Sequence, residues 1–319
     1  MGYLRFILAF FVLISHLEIR FHGLNPGVTA VVIFYLLAGH VVSHLWAEIL
    51  PPGKGRLMAF YKDRILRIMP LYLYVIAMTL LFLLITGYGA PHFSPLKLLG
   101  NLLVIPLNYY MLIDTTILTE PNWCLIPPAW SLGVELQAYL LLPVILENRW
   151  LRLFLTLGSF GVYMAANLNY LNADYFGYRL LPGVFFIFVT GAVIERRETF
   201  LPWAIWLAML LSAFLFWRFN LLNTYATETF LGVGIGVPIV SAFSRLRPKP
   251  PLNGLMGSLS YGIFLIHFLV IWSLDHMGAV FHNGTIYALT VAWISMMLSW
   301  VGVHCLEKRI DSIRKEKKT

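Results

Sequence analysis

Apolar runs long enough to cross about 30 Å of hydrocarbon recur along this chain. They lie near residues 3–21, 27–47, 65–87, 128–147 and 151–171, and again near 177–194, 201–219, 226–243, 255–273 and 283–305. The pattern predicts an all-α polytopic membrane protein of about ten transmembrane helices. An even number of crossings returns the chain to its starting side. Basic residues sort accordingly: Lys54, Arg56, Lys62, Arg64 and Arg67 flank one connection, Arg149 and Arg152 a second, Arg196 and Arg197 a third. Arg245, Arg247 and Lys249 mark the fourth, and Lys308, Arg309, Arg314, Lys315, Lys317 and Lys318 the tail. Positive charge collects on the cytoplasmic side, so both termini are expected there. Residues 88–127 form the longest connection on the other side. Within them an apolar run over 96–112, broken by Pro106, is expected to re-enter or lie on the surface. A crossing there would turn Arg196, Arg197, Arg245 and Arg247 outward, against the charge rule. No linker, repeat or second soluble domain is visible, which leaves residues 1–306 as a membrane-embedded domain and 307–319 as a basic cytoplasmic tail.

Composition agrees. Of 319 residues, 59% are hydrophobic and 12% charged, and mean hydropathy is +0.77, far from a soluble domain. A formal charge of +8 raises the question of nucleic acid, but the basic residues sit in short loops as topology signals, and no nucleic-acid partner is expected. Cys124 and Cys305 are the only cysteines and lie far apart, so neither a disulfide framework nor a metal site is indicated. The first run also has the outline of a signal peptide, with Arg5 as its positive region and Val28, Thr29 and Ala30 as a cleavage site. Glu18, Arg20 and His22 between them, and the immediate start of the next span, argue for retention.

Against this apolar background the polar intrusions carry the chemistry, because an ionisable side chain in a span costs a few kcal/mol. Arg5 and His16 are eleven positions apart. On a helix they return to within about 20° of one face, roughly 16 Å apart along the axis, one end near water and the other deep. In the fourth run Ser131, Glu135 and Tyr139 follow at intervals of four, after Trp130, a polar stripe with a carboxylate at its centre. By this topology His16 and Glu135 lie at similar depth, where a carboxylate would fix the tautomer of the imidazole and suit it to act as a general base. Lys62, Arg64 and Arg67 at the cytoplasmic mouth of the third span fit phosphate groups or serve as plain anchors. Arg179, at the outer start of the sixth span, faces an acceptor or snorkels to the interface. His267 is a further intrusion in the outer half of the ninth.

In order and spacing these segments resemble the acyltransferase-3 family of integral membrane acyltransferases, which includes bacterial O-antigen and exopolysaccharide O-acetylases. Arg5 and His16 reproduce its Arg-x10-His pattern, and Arg64 with Arg67 its Arg-x-x-Arg. The run from Trp130 through Ser131, Leu132, Gly133 and Val134 to Glu135, with Tyr139, resembles its most distinctive segment. Ser260, Tyr261 and His267 match a late element with Phe264 in its second aromatic place, and Glu307 with Lys308 the closing pair. The chain departs from the family at Val32, where an acid is usual, at Ala38, where a serine is, and at Leu136, where a second acid follows the first. The resemblance implies an acyl-CoA-dependent O-acyltransferase with no permanently bound cofactor. Acyl-CoA, most often acetyl-CoA, is then the cytoplasmic donor, held by Arg5, Lys62, Arg64 and Arg67. A hydroxyl of a glycan, glycolipid or small molecule at the outer face is the acceptor, with Trp130, Ser131, Tyr139, Arg179 and His267 as its contacts. His16 and Glu135 are the expected catalytic pair, in a bacterial inner membrane and against membrane lipid. His16 acts either as a general base or as a carrier of the acyl group. A transporter or flippase using an Arg, His and Glu relay is the competing class, and it predicts inverted repeats, of which the sequence gives no convincing sign.

Overall fold

In hydrocarbon every backbone amide and carbonyl must be satisfied within its own segment, so each apolar run is driven to a helix. The computed structural model describes residues 1–248, 250–279 and 284–307. Lys249 and the tail from Lys308 onward lie outside the described residues, so the predicted basic tail and the Lys308 half of the closing pair do as well. Eleven α-helices are described: α1 (Gly2–Ser15), α2 (Pro26–His44), α3 (Arg56–Thr86), α4 (Pro95–Leu103), α5 (Ala129–Glu147), α6 (Arg149–Asn167), α7 (Leu181–Glu195), α8 (Phe200–Arg218), α9 (Ala226–Leu246), α10 (Asn253–His276) and α11 (Gly284–Gly302). Among the described residues there are no strands, only isolated bridges such as Leu118 with Trp123. The fold is the all-α polytopic membrane architecture that the hydropathy pattern predicts.

Eight of the described helical stretches are long and apolar enough to cross a membrane. Every one of the ten predicted runs is a helix, but two fall outside those eight. α1 has 14 residues, about 21 Å at 1.5 Å per residue, and α6 is more polar, with Arg149, Arg152, Thr156, Ser159 and Asn167 along it. α1 ends sooner than expected because the chain turns at once: Glu18 and His22 take φ of +59° and +50°, so His16 begins the exit turn. α3 begins nine residues earlier than the apolar run, at Arg56, so Arg64 and Arg67 already stand on the helix. The 96–112 segment holds α4 of nine residues and a 3₁₀ turn over Ile105–Tyr109. Nine residues reach about 14 Å, too short to cross.

The chain divides into two compact bodies. The first comprises Met1, Glu18–Tyr61 and Val134–Pro251, and α7 is its centre, buried along nearly its whole length. α2, α6, α8 and α9 all pack on it. The approach of α2 to α7 is set by two glycines that face each other's backbone. A Cβ on Gly39 would lie 1.8 Å from the Phe188 carbonyl oxygen, and one on Gly191 1.9 Å from that of Leu36. Lipid tails are as apolar as leucine, so close backbone approach at small residues is the main source of helix association in a membrane.

The second body comprises Gly2–Leu17, Lys62–Gly133 and the described part of Leu252–Thr319. α1 packs along α10, and α10 along α11. The Gly2 amide donates to Asn253 Oδ1 at 2.7 Å. The long connection is held by Asn101, which is fully buried. Its side-chain amide donates to the carbonyls of Lys97 and Thr115 at 2.9 and 2.8 Å, and its Oδ1 accepts from Leu125 N at 2.9 Å. Its own carbonyl accepts from Tyr72 Oη at 2.6 Å. Nearby, bonds from Lys97 and Thr116 hold the Asp114 carboxyl well below its usual range, at about 2.

Gly39→Leu and Gly191→Leu are each expected to lower the unfolding midpoint in detergent, at a cost of about 1–3 kcal/mol from overpacking. Gly158→Leu, at a position where a Cβ would meet nothing within 4 Å, is the matched control and should leave the midpoint in place.

Candidate active site

His16 and His267 meet in the second body, joined by the packing of α1 on α10. His16 Nδ1 lies 3.0 Å from His267 Nε2, and the rings stack with centroids 5.1 Å apart and 19° between their planes. Phe268 packs on both rings, at 4.9 and 5.1 Å, and Trp123 on Phe268 at 5.6 Å. His267 is fully buried, and its Nδ1 lies 3.0 Å from the Ile263 carbonyl oxygen one turn earlier. A carbonyl only accepts, so His267 Nδ1 carries the hydrogen and its Nε2 holds the lone pair. His16 Nδ1 must then donate to that lone pair, which leaves the lone pair of His16 on Nε2. A neutral imidazole with its tautomer fixed in this way is equipped to take a proton or attack a carbonyl. Sequence reasoning places His267 at the acceptor; in the structure its Nε2 lies against His16 Nδ1.

The basic residues lie in the same body. Arg5 is half-buried in α1, eleven residues and about 16 Å of helix from His16. Arg64 is buried and paired with Asp63, whose carboxylate takes its Nε at 3.2 Å and a terminal nitrogen. Arg67 is half-buried and donates to Ser258 Oγ at 3.4 Å, while Lys62 is exposed. Asp63 absorbs charge from this cluster and fixes the Arg64 fork, which sequence pattern alone does not indicate. Trp130 is half-buried in the first turn of α5. Ser131 Oγ donates to the Pro128 carbonyl at 3.1 Å, a helix-end bond that ties its hydroxyl to the backbone.

In the first body Tyr139 Oη donates to Glu135, one turn earlier on α5. Both charges, Glu135 and Arg179, act on the buried Tyr35 hydroxyl, which itself donates to the Tyr178 carbonyl at 3.2 Å. Arg179 lies in a π-helical turn, Tyr175–Arg179. Its Nε is 3.0 Å from Asp174 Oδ1 and its guanidinium 4.5 Å above the Tyr178 ring. Glu135, expected as half of the catalytic pair, and Arg179, expected at the acceptor, therefore share one neighbourhood with Tyr35, a residue that the sequence pattern does not single out. Its one sequence signal is a phenol in a very apolar span. Glu135 and His16 belong to different bodies.

A second polar cluster has no counterpart among the sequence expectations. His40 and His44, one turn apart on α2, place Nε2 and Nδ1 each 2.7 Å from the two oxygens of Glu195 at the end of α7. Ser244 Oγ donates to Glu195 at 3.1 Å, and Arg247 reaches it at 3.3 Å. The i, i+4 histidines are the available signal. Each nitrogen sits on its own carboxylate oxygen instead of converging on a shared centre, and among the described residues no group of three or more His, Cys, Asp or Glu side chains is set to hold a metal ion.

The long apolar helices make this an integral membrane protein. The chain belongs to the acyltransferase-3 family: residues 1–304 match the family model, described as an acyltransferase domain, so the protein is a membrane acyltransferase. An uncharacterized protein of Aquifex aeolicus (strain VF5) is 38% identical over 205 residues, covering 61% of this chain and 92% of its own length. Nodulation protein 10 of Rhizobium leguminosarum bv. viciae is 28% identical over 313 residues, covering 84% of this chain and 80% of its own. No solved structure matches.

If His267 positions His16, His267→Ala should lower turnover by roughly 10²-fold or more, within the range for general-base catalysis, with little change in the Michaelis constants. The pH–rate profile should change shape as well. His267→Gln, whose carbonyl oxygen can accept from His16 Nδ1, should recover part of the rate. A purely structural role would show in the unfolding midpoint and not in the profile.

Proposed function

We propose that this protein transfers an acyl group, most simply acetyl, from cytoplasmic acyl-CoA to a hydroxyl of a glycan or similar acceptor at the outer face of a bacterial inner membrane. The observation that carries this reading is the His16 to His267 to Ile263 hydrogen-bond chain, which leaves a lone pair on His16 Nε2. His16 takes the proton of the acceptor hydroxyl as its oxygen attacks the thioester carbonyl. The C–S bond then breaks, and the proton passes from His16 to the departing CoA thiolate. Products are the O-acyl acceptor and free CoA, so atoms and charge balance.

Arg5, Lys62, Arg64 and Arg67 are assigned to the phosphates of the donor. Guanidinium forks bind phosphate oxygens in pairs, and the Asp63 contact holds the Arg64 fork in one orientation before the donor arrives. Glu135, Tyr139 and Arg179, with Trp130 and Ser131, are assigned to the acceptor. A carboxylate and a phenol accept and donate to sugar hydroxyls, and an indole face packs on the apolar face of a sugar ring.

The test is transfer of labelled acetyl from acetyl-CoA in membranes carrying wild type or variants, scored in glycan, lipid and small-molecule fractions. His16→Ala should lose about 10²–10⁴-fold in rate while staying inserted; undiminished labelling in verified His16→Ala membranes would remove the proposed centre. Arg67→Ala should raise the Michaelis constant for acyl-CoA more than it lowers turnover. Arg64→Ala is the less clean variant, because it also breaks the contact between two buried charges, Arg64 and Asp63.

A further inference from the structure

A cavity of about 290 Å³ opens in the first body where the end of α7, the start of α8 and the end of α9 come together, lined among others by Arg197, Thr199, Trp203, Ser241 and Arg245. Its charges do not cancel. Glu198, the acid in its wall, is already held by Arg152 in a two-pronged contact at 2.8 and 3.0 Å, and Glu195 behind Ser244 is occupied by His40, His44 and Arg247. Among the described residues neither Arg197 nor Arg245 makes an ion pair, and both are exposed.

Two further groups point at an anion. Ser241 lines the cavity at 8% exposure, and its hydroxyl can donate to an anion held there. The N-cap of α8, Thr199, makes no side-chain capping bond, so the amides of Phe200 and Leu201, ahead of Pro202, which has none, are left to an outside acceptor. Ile194, Pro202 and Trp203 form the apolar part of the wall.

We propose that this cavity is a binding site for a phosphate group, and specifically for the headgroup of an anionic phospholipid of the cytoplasmic leaflet. The phosphate sits between Arg197 and Arg245, accepts from Ser241 and the α8 amides, and leaves its acyl chains to run along the apolar side past Trp203. The loop after α7 and the end of α9 belong to the cytoplasmic side in the positive-inside topology, where anionic lipid is present and basic pockets between helices hold such headgroups. A tryptophan at this level is the usual interfacial anchor. The site is separate from the His16 chemistry and stands or falls without it.

The full chain, purified in detergent, is titrated with phosphatidylglycerol, phosphatidylcholine and inorganic phosphate, with bound lipid counted by native mass spectrometry and the unfolding midpoint followed in parallel. Phosphatidylglycerol should be retained and raise the midpoint, and phosphatidylcholine should do neither. Arg197→Gln and Arg245→Gln should each weaken binding about fivefold, the effect of one basic side chain at an anionic surface. Ser241→Ala, which keeps every charge and adds no bulk, should weaken it as well and covers the case in which an arginine variant fails to fold. An equal effect of inorganic phosphate would assign the site to free phosphate in place of a lipid. Equal retention of phosphatidylcholine, no binding of either anion, or full binding by all three variants would overturn the proposal.

Discussion

A proton or lone pair inside hydrocarbon has no water to bond, and leaving it unmet costs several kcal/mol. That constraint decides where the polar side chains of this protein are. Asn101 spends its side-chain amide and oxygen on three backbone groups. Glu195 gathers two histidines, a serine and an arginine, and Arg64 takes the acid next to it in sequence. Where a buried imidazole meets a neighbour at each nitrogen, as His267 does, its protonation pattern is set by those neighbours and not by solvent. The base-competent nitrogen of His16 is a consequence of a backbone carbonyl on another helix.

The helices can bring such groups together because their backbones approach closely where side chains are smallest. Gly39 and Gly191 let α2 and α7 touch in the first body, and Gly2 lies against the Asn253 carbonyl in the second. A Cβ at any of these positions would push the helices apart by ångströms. Hydrogen bonds tolerate only tenths of an ångström, so packing at glycines sets the precision of the polar network. This also explains why α7, with polar groups only at Thr190 and its end, can be the centre of its body.

Hydropathy makes the spans legible because hydrocarbon demands long apolar helices, and length alone separates α4 from a crossing. Helix ends are less legible. The stop of α1 at Ser15 rests on two residues with positive φ, and the early start of α3 on a polar stretch that is helical without being apolar. For the site, the spacing of Arg5 and His16 and the family-like order of motifs single out side chains, but not their partners. Pairing across helices depends on rotation about each axis, which one-dimensional spacing does not encode. Depth alone therefore matches His16 to a carboxylate, whereas the structure gives its Nδ1 a second histidine. Asp63, Tyr35, and His40 with His44 escape for the same reason: each acquires meaning only from what faces it.

The chain of bonds behind His16 also bears on the passage of a proton through it. Reversing both tautomers would turn the His267 Nδ1 lone pair toward the Ile263 oxygen, losing one hydrogen bond and setting two acceptors face to face. Desolvated acceptors left unmet cost about 1–3 kcal/mol each, and about 1.4 kcal/mol is already tenfold in population, so the form with a lone pair on His16 Nε2 dominates. A proton captured at Nε2 can move through Nδ1 to His267, but there the path stops, because an amide carbonyl is not a base at neutral pH. The proton must return and leave through the nitrogen by which it arrived. A transporter needs two exits for its proton, one on each side of the membrane. A general base needs only to lift a proton and release it at the same place, and the bond from His267 Nδ1 to the Ile263 carbonyl is compatible with that.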